Sequence, residues 1–483
     1  MNAFSHLVLL AFVPLVWFVA RRLDRQIAIV GAAVAGLLFL PNLTIPTPGF
    51  LDFGKFAAIS LALAVSAGCS RGQPVQRFQP NLWDALVVSY VVAVPLSYLS
   101  NGMAAYSAVS ALIYSSIDWI VPYWVGRRHL SDERGLRILL WGFFVGGLAY
   151  VPFCLWEVRM SPLLHLRIYG EFVHSFQQMV RAGGYRPIVF LGHGLEVALW
   201  MSTATIACLV LWRRLLVRSV QSISMGWLFV LMAVTLLLCK SLGSILLAIT
   251  MVPVVLSRRG PLLLSGFVVA GVGYLALRVF AGPQVYGTIA ALSELAPAER
   301  AESMMFRVDM EEILMQQAWM RPLLGWTIEQ KGVQLDPWAD PETRQRLITD
   351  SRWIIAFLGS GLLGLLSLYG LLAGVCIKVW YRLRWDDGAH AECLGVAVAV
   401  AITMFDTLSN ATISPPVILS IGALAAMRSE RAVSTAARGE QVGDRAVPPV
   451  LRPRARTKTL LAASDRARGG PDEFNTDCRA CPR

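Results

Sequence analysis

The chain alternates long, unbroken apolar runs with short polar breaks. Thirteen runs stand out, near 3–20, 26–46, 53–69, 82–99, 104–126, 135–157, 188–212, 223–239, 241–257, 261–280, 352–377, 392–409 and 412–427. Most approach the ~20 residues that a helix needs to cross a hydrocarbon layer of roughly 30 Å. None shows the period-two alternation of a barrel strand. The pattern predicts an all-α polytopic membrane protein of about 12–13 transmembrane helices, since only helices satisfy their own backbone in lipid.

Two polar segments interrupt this rhythm, a smaller one at 158–187 and a large one at 281–351. Loops as long as the second are usually functional. Within it, Phe306, Met310, Ile313, Leu314 and Gln317 recur at helical spacing. That predicts an amphipathic helix over 288–320 lying on the membrane surface. Pro322 ends it, Gly325-Trp326 makes a turn, and a turn-rich stretch at 336–344 leads into a short helix. Beyond residue 428 the chain is rich in Ala, Arg and Pro without apolar periodicity, which predicts a disordered basic tail. The chain thus divides into ten helices over 1–280, a large and mostly helical loop over 281–351, three helices over 352–427, and the tail over 428–483.

Composition agrees: of 483 residues, 56% are hydrophobic and only 15% charged, and mean hydropathy is +0.57. The net charge of +12 does not call for nucleic acid. The tail carries 12 basic and 7 acidic residues, and most of the remaining excess lies in short loops. Threading the runs alternately gathers Arg21/Arg22/Arg25, Arg71/Arg77, Arg127/Arg128/Arg134, Arg213/Arg214/Arg218, Arg258/Arg259 and Arg382/Arg384 on one side. Short basic loops mark the cytoplasmic face. The first run has no basic residue before it, so it reads as a span with its N-terminus outside rather than as a signal peptide. Most of the eight cysteines stand alone in apolar runs, and Cys478 and Cys481 form a solitary Cys-x-x-Cys without metal partners.

Both outward segments then hold basic residues against the charge rule. The smaller carries Arg159, Arg167, Arg181 and Arg186 with His165 and His174; the larger carries Arg300, Arg307, Arg321, Lys331, Arg344 and Arg346. Binding an anion accounts for them. His193 and Glu196, three apart, share a helix face inside an apolar run, which marks either a functional pair or a hydrogen-bonded packing pair. Asp336, Asp340 and Glu342 match no cation cage and read as a solvated turn.

Asp350-Ser351, nine residues, then Gly361-Leu362-Leu363-Gly364 resembles the start of a late span in the bacterial O-antigen ligase and polysaccharide polymerase superfamily. Arg307 with Trp319, Pro322 and Gly325-Trp326 resembles that family's Arg…Pro-x-x-Gly-Trp segment. The stretch from Arg186-Pro187 to Gly192-His193 is similar to its Arg-containing approach to a central span, and Lys240-Ser241-Leu242-Gly243-Ser244 to another span start. The motifs fall in order over residues 180–427. The resemblance implies an inverting, metal-independent glycosyltransferase with no cofactor. It would sit in the inner membrane with its site facing the periplasm, moving a glycan from undecaprenyl diphosphate to a hydroxyl of an acceptor glycan or lipid. Its partners would be that lipid-linked glycan, the acceptor, membrane lipids and other polysaccharide-assembly proteins, with no nucleic acid.

In that chemistry negative charge builds on the departing diphosphate, which guanidinium forks suit, and the acceptor hydroxyl needs a base. Arg186 and Arg307 fall to the diphosphate, with Lys240 a third cation and Arg321, His193 and Glu196 as further substrate contacts. Asp350 is the base or the group that orients the acceptor, and burial near the membrane surface would suit it to the first role. The ligases carry His at this position, so Asp350 favours a chain polymerase or another ligase. Each residue has a plainer role open to it: Asp350 as a helix cap, Arg307 as the partner of Glu311 four residues on, and Arg186 and Lys240 as headgroup anchors. A lipid-linked glycan flippase or other secondary transporter is the alternative function. Such proteins tend to show internal repeats and midplane charges, and no repeat between halves stands out here.

Overall fold

The computed structural model of the protein describes residues 2–427 apart from 48–51, 70–78, 173–175, 182, 295–297, 328–348 and 384–390. Of the described residues, 78% are helical. The helices are α1 (Ala3–Ala20), α2 (Arg25–Phe39), α3 (Lys55–Cys69), α4 (Leu82–Ser100), and α5 (Ala105–Ser115), which runs through a π-turn at Ser116–Ile120 into α6 (Val121–His129). There follow α7 (Glu133–Met160), α8 (Leu164–Tyr169), α9 (Gly194–Arg213), α10 (Met225–Leu238), α11 (Leu242–Leu256), α12 (Gly260–Phe280), α13 (Gly282–Ser293), α14 (Ala298–Met320), α15 (Arg352–Leu383), α16 (Ala391–Asp406) and α17 (Pro415–Ala426). Every apolar run coincides with a helix, α5 and α6 sharing one. Among the described residues, seven helices are long and apolar enough to cross a membrane: α1, α4, the α5–α6 unit, α7, α9, α12 and α15.

Local chemistry sets the helix ends. Asp24 caps α2, Asp132 caps α7, and Asn81 with Asp84 forms a capping box on α4, each filling backbone donors that no helical carbonyl can reach. Helix α2 stops at Phe39, with Pro41 just beyond, rather than running to 46. Helix α9 begins at Gly194 rather than 188, because Val189 adopts a left-handed φ of 55° and the chain from 186 to 193 is irregular.

Helix α9 is the central pillar, packed by α7, α10, α11 and α16. Helix α15 packs on α4, α12, α14 and α16, and α17 lies along α6. Helix α15 is broken at Gly361, whose φ of 66° and ψ of −166° interrupt the ladder. Segment 322–327 fills the break: Leu362 N–H donates to Pro322 O and Leu363 N–H to Leu323 O, while Trp326 N–H and Thr327 N–H donate to Leu358 O and Gly359 O. A side chain at Gly361 would meet Leu323 O at 2.2 Å, so only glycine admits this approach. The Gly-Leu-Leu-Gly motif is therefore a docking notch for the segment around Pro322 and Gly325-Trp326, not a plain turn of helix.

The expected amphipathic helix over 288–320 is two helices, α13 and α14; of its expected face Leu314 and Gln317 are buried and Met310 and Ile313 pack against the core, while Phe306 does not. Val308, Glu311, Leu314, Met315 and Ala318 are buried, whereas Phe306 is exposed. Helix α14 packs against α15. The short helix expected after 336–344, the residues Asp336, Asp340, Glu342 and His174, and the tail over 428–483 lie outside the described residues.

Candidate anion-binding site

The irregular segment 186–193 is the first part of the site. Buried backbone without a ladder needs other partners, and side chains supply them. Glu157, at the end of α7, accepts from Ile188 N–H and Val189 N–H at 2.7 Å each and from Leu164 N–H at 2.9 Å. The Tyr150 hydroxyl accepts from Phe190 N–H at 3.0 Å, and Lys55 Nζ donates to Phe190 O at 3.0 Å. Upstream, a two-residue antiparallel ladder pairs Val180 with Tyr185 and Arg181 with Gly184. Arg186 N–H donates to Met179 O at 2.8 Å.

This scaffold holds the Arg186 side chain across the first residue of α9. A Cβ added at Gly194 would lie 2.7 Å from Arg186 Cδ and 2.9 Å from its Nε. Arg186 is 2% exposed, its buried Nε has no hydrogen-bond partner, and no carboxylate pairs with it among the described residues. Burial, together with the positive charges of Arg181 and Arg307, pulls its pKa down to about 10. It remains a cation at neutral pH, and an unpaired buried cation is costly. Lys240, at the α10–α11 turn with a φ of 52°, extends Nζ to Arg181 O at 2.9 Å. Arg181 and Arg307 thus lie within electrostatic reach of Arg186, and Lys240 is joined to the Arg181 backbone beside it.

Arg307 comes from α14 and lies 3.8 Å from Asp350 Oδ2. Asp350 is 56% exposed, so the burial expected of a base is not found. Nor does it cap α15: among the described residues, the Arg352 N–H that opens the helix donates to Thr407 O and Asn410 O. Glu311 does not pair with Arg307 either. It pairs with Arg278 of α12 at 3.2 Å and accepts a hydrogen bond from the Ser351 hydroxyl.

The remaining expected contacts separate into two groups. His193 is the N-cap of α9, not a residue within it, its Nδ1 accepting from Leu195 N–H at 2.9 Å. Glu196 accepts from Gly192 N–H and from the Thr412 hydroxyl at 3.1 Å each. Both hold the start of α9 next to Arg186. Glu196 also borders a cavity of about 30 Å³ lined by Trp200, Thr203, Thr403 and Thr412. Arg321 stands apart from the cationic cluster: its guanidinium stacks 4.4 Å from the Trp326 ring and donates to Asn101 Oδ1, tying segment 321–326 to the end of α4.

No motif marks Lys55, Glu157, Arg278 or Asp406 in the sequence, and Glu311 was expected to pair with Arg307. All but Glu311 lie within or at the ends of apolar helices, and an ionisable residue there is a signal in its own right. Asp406 feels both Glu196 and Arg307 electrostatically, so it belongs to the same neighbourhood. Arg278 is 0% exposed and sits between Glu311 and Glu312. No family model matches the chain, and no curated protein compared with it is similar.

Proposed function

We propose that the protein is a membrane glycosyltransferase that moves a glycan from undecaprenyl diphosphate to an acceptor hydroxyl on the outer face of the bacterial inner membrane. It would act as a polysaccharide polymerase or an O-antigen ligase-like enzyme. The observation that carries this reading is the buried, unpaired guanidinium of Arg186 beside Arg181, Lys240 and Arg307. Such a cluster is completed by a polyanion, and a diphosphate presents several oxygens to guanidinium forks. The basic short loops support placing the opposite face of the molecule in the cytoplasm.

In this scheme the acceptor oxygen attacks the anomeric carbon and the bond from that carbon to the diphosphate oxygen breaks. Arg186 and Arg307 stabilise the charge arriving on the leaving group, which in a site shielded from water is often the largest catalytic term. Asp350 accepts a hydrogen bond from the acceptor hydroxyl and takes its proton, while its ion pair with Arg307 keeps acceptor and donor ends in register. Its exposure suits an acceptor that arrives from the aqueous side.

The test is purified full-length protein in lipid nanodiscs with a lipid-linked oligosaccharide and an acceptor glycan. Free carrier diphosphate and a new glycosidic bond are expected, both lost in Arg186→Ala and Arg307→Ala at normal protein levels. Translocation of the intact donor without bond cleavage would move the protein to the flippase alternative.

A further inference from the structure

The ion cluster around Arg278 is the part of the molecule that the scheme above leaves unused. Its arginine is fully buried. Arg278 Nη2 lies 3.2 Å from Glu311 Oε2 and its Nη1 3.6 Å from Glu312 Oε2. The second oxygen of Glu311 accepts from the buried Ser351 hydroxyl. Glu311 therefore joins α12, α14 and the start of α15 at one point. Its burial pushes its pKa up, and the Ser351 hydroxyl and the Arg278 charge oppose that rise.

The placement of this joint is what matters. Arg307 and Glu311 are four residues apart on α14, one turn along the same face. Asp350 and Ser351 are adjacent. The bond from Ser351 to Glu311 thus lies one helical turn from the Arg307–Asp350 pair on one side and one residue from it on the other. The other ties of α14 lie on a neighbouring helix or farther along its length. Tyr286 reaches Asp309 from neighbouring α13, and Trp319, about two turns beyond Glu311, donates to Val279 O and meets the Phe357 ring of α15 edge-on at 5.4 Å, so Glu311 is the tie nearest to Arg307.

We infer that Glu311 is a positioning residue. Held by Arg278 and Ser351, it aligns the guanidinium of Arg307 with the carboxylate of Asp350 without touching substrate. The inference rests on the transferase reading only for its kinetic consequence; the alignment itself is testable without activity.

Two measurements on the full chain separate these. In the first, Ser351→Ala and Glu311→Gln are assayed for carrier diphosphate release. A misplacement of this kind is expected to lower kcat about tenfold or more while donor KM stays within about twofold. The double variant should be no worse than Glu311→Gln alone, because both changes cut one link. In the second, Arg307→Cys and Asp350→Cys are combined with serine at Cys69, Cys478 and Cys481 and treated with a short bifunctional thiol reagent. Efficient cross-linking is expected with Glu311 present and a several-fold lower yield with Glu311→Gln. Because Glu311→Gln strands a buried cation, Arg278→Met/Glu311→Met supplies a stably folded control, which should cross-link equally poorly. Equal yields with and without Glu311 would overturn the inference whatever the enzyme does. A wild-type protein that cross-links as expected but releases no carrier diphosphate would instead sink the transferase reading and leave the positioning role standing.

Discussion

The guanidinium of Arg307, on α14, meets the carboxylate of Asp350, two residues before α15, at 3.8 Å. The pair is partly exposed, so its Coulomb energy is small and screened. Its importance is geometric, because it joins the cationic cluster to the one carboxylate facing it from the start of α15. Asp350→Asn keeps the shape of the side chain but removes its ability to take a proton. Turnover is expected to fall by roughly 10²–10⁴-fold with little change in donor KM, measured as carrier diphosphate release. Near-normal turnover would remove Asp350 from the chemistry.

Gly194→Ala tests Arg186 without altering it. The added methyl would sit 2.7 Å from Arg186 Cδ, so the guanidinium must move. The helix itself tolerates the change, since alanine is the better helix former. Donor KM should rise on the order of tenfold while the thermal midpoint holds or rises. An unchanged KM would mean that the position of Arg186 does not matter to the donor.

Glu157→Ala would leave three backbone amides, those of Leu164, Ile188 and Val189, without their acceptor. Each buried unpaired donor costs about 1–3 kcal/mol. The expected outcome is a lower unfolding temperature with fast hydrogen exchange at residues 188–189. Slow exchange at these amides in the variant would show that another group holds the segment.

His165 predicts a pH dependence of stability. Its Nε2 accepts from Asn42 N–H at 3.3 Å while Nδ1 lies 2.9 Å from Glu171 O, so the neutral ring with its proton on Nδ1 satisfies both contacts. Burial lowers its pKa below the ordinary 6.5. The folded protein thus binds this proton less readily than the unfolded chain. The stabilisation is complete above the ordinary value and is lost as pH falls below it. Thermal unfolding should shift downward between pH 7 and pH 5, and His165→Asn should start lower and respond less.

The helices and their order followed from the sequence alone, because a long apolar run can satisfy its backbone only within itself, and its length says so directly. The sequence also singled out Arg186, Arg307 and Asp350, and the structure sets Arg307 3.8 Å from Asp350 and within electrostatic reach of Arg186. Tertiary structure decided the rest. It sent Arg321 to Trp326 and Asn101, gave Glu311 to Arg278 instead of Arg307, and made His193 a cap. It also left Asp350 exposed and broke α15 at Gly361. These outcomes turn on contacts such as Arg278 with Glu311 and Glu157 with Ile188, formed across 33 and 31 residues. Periodicity records which face of a helix is apolar. Which charged group on another helix lies opposite is settled only when the helices pack.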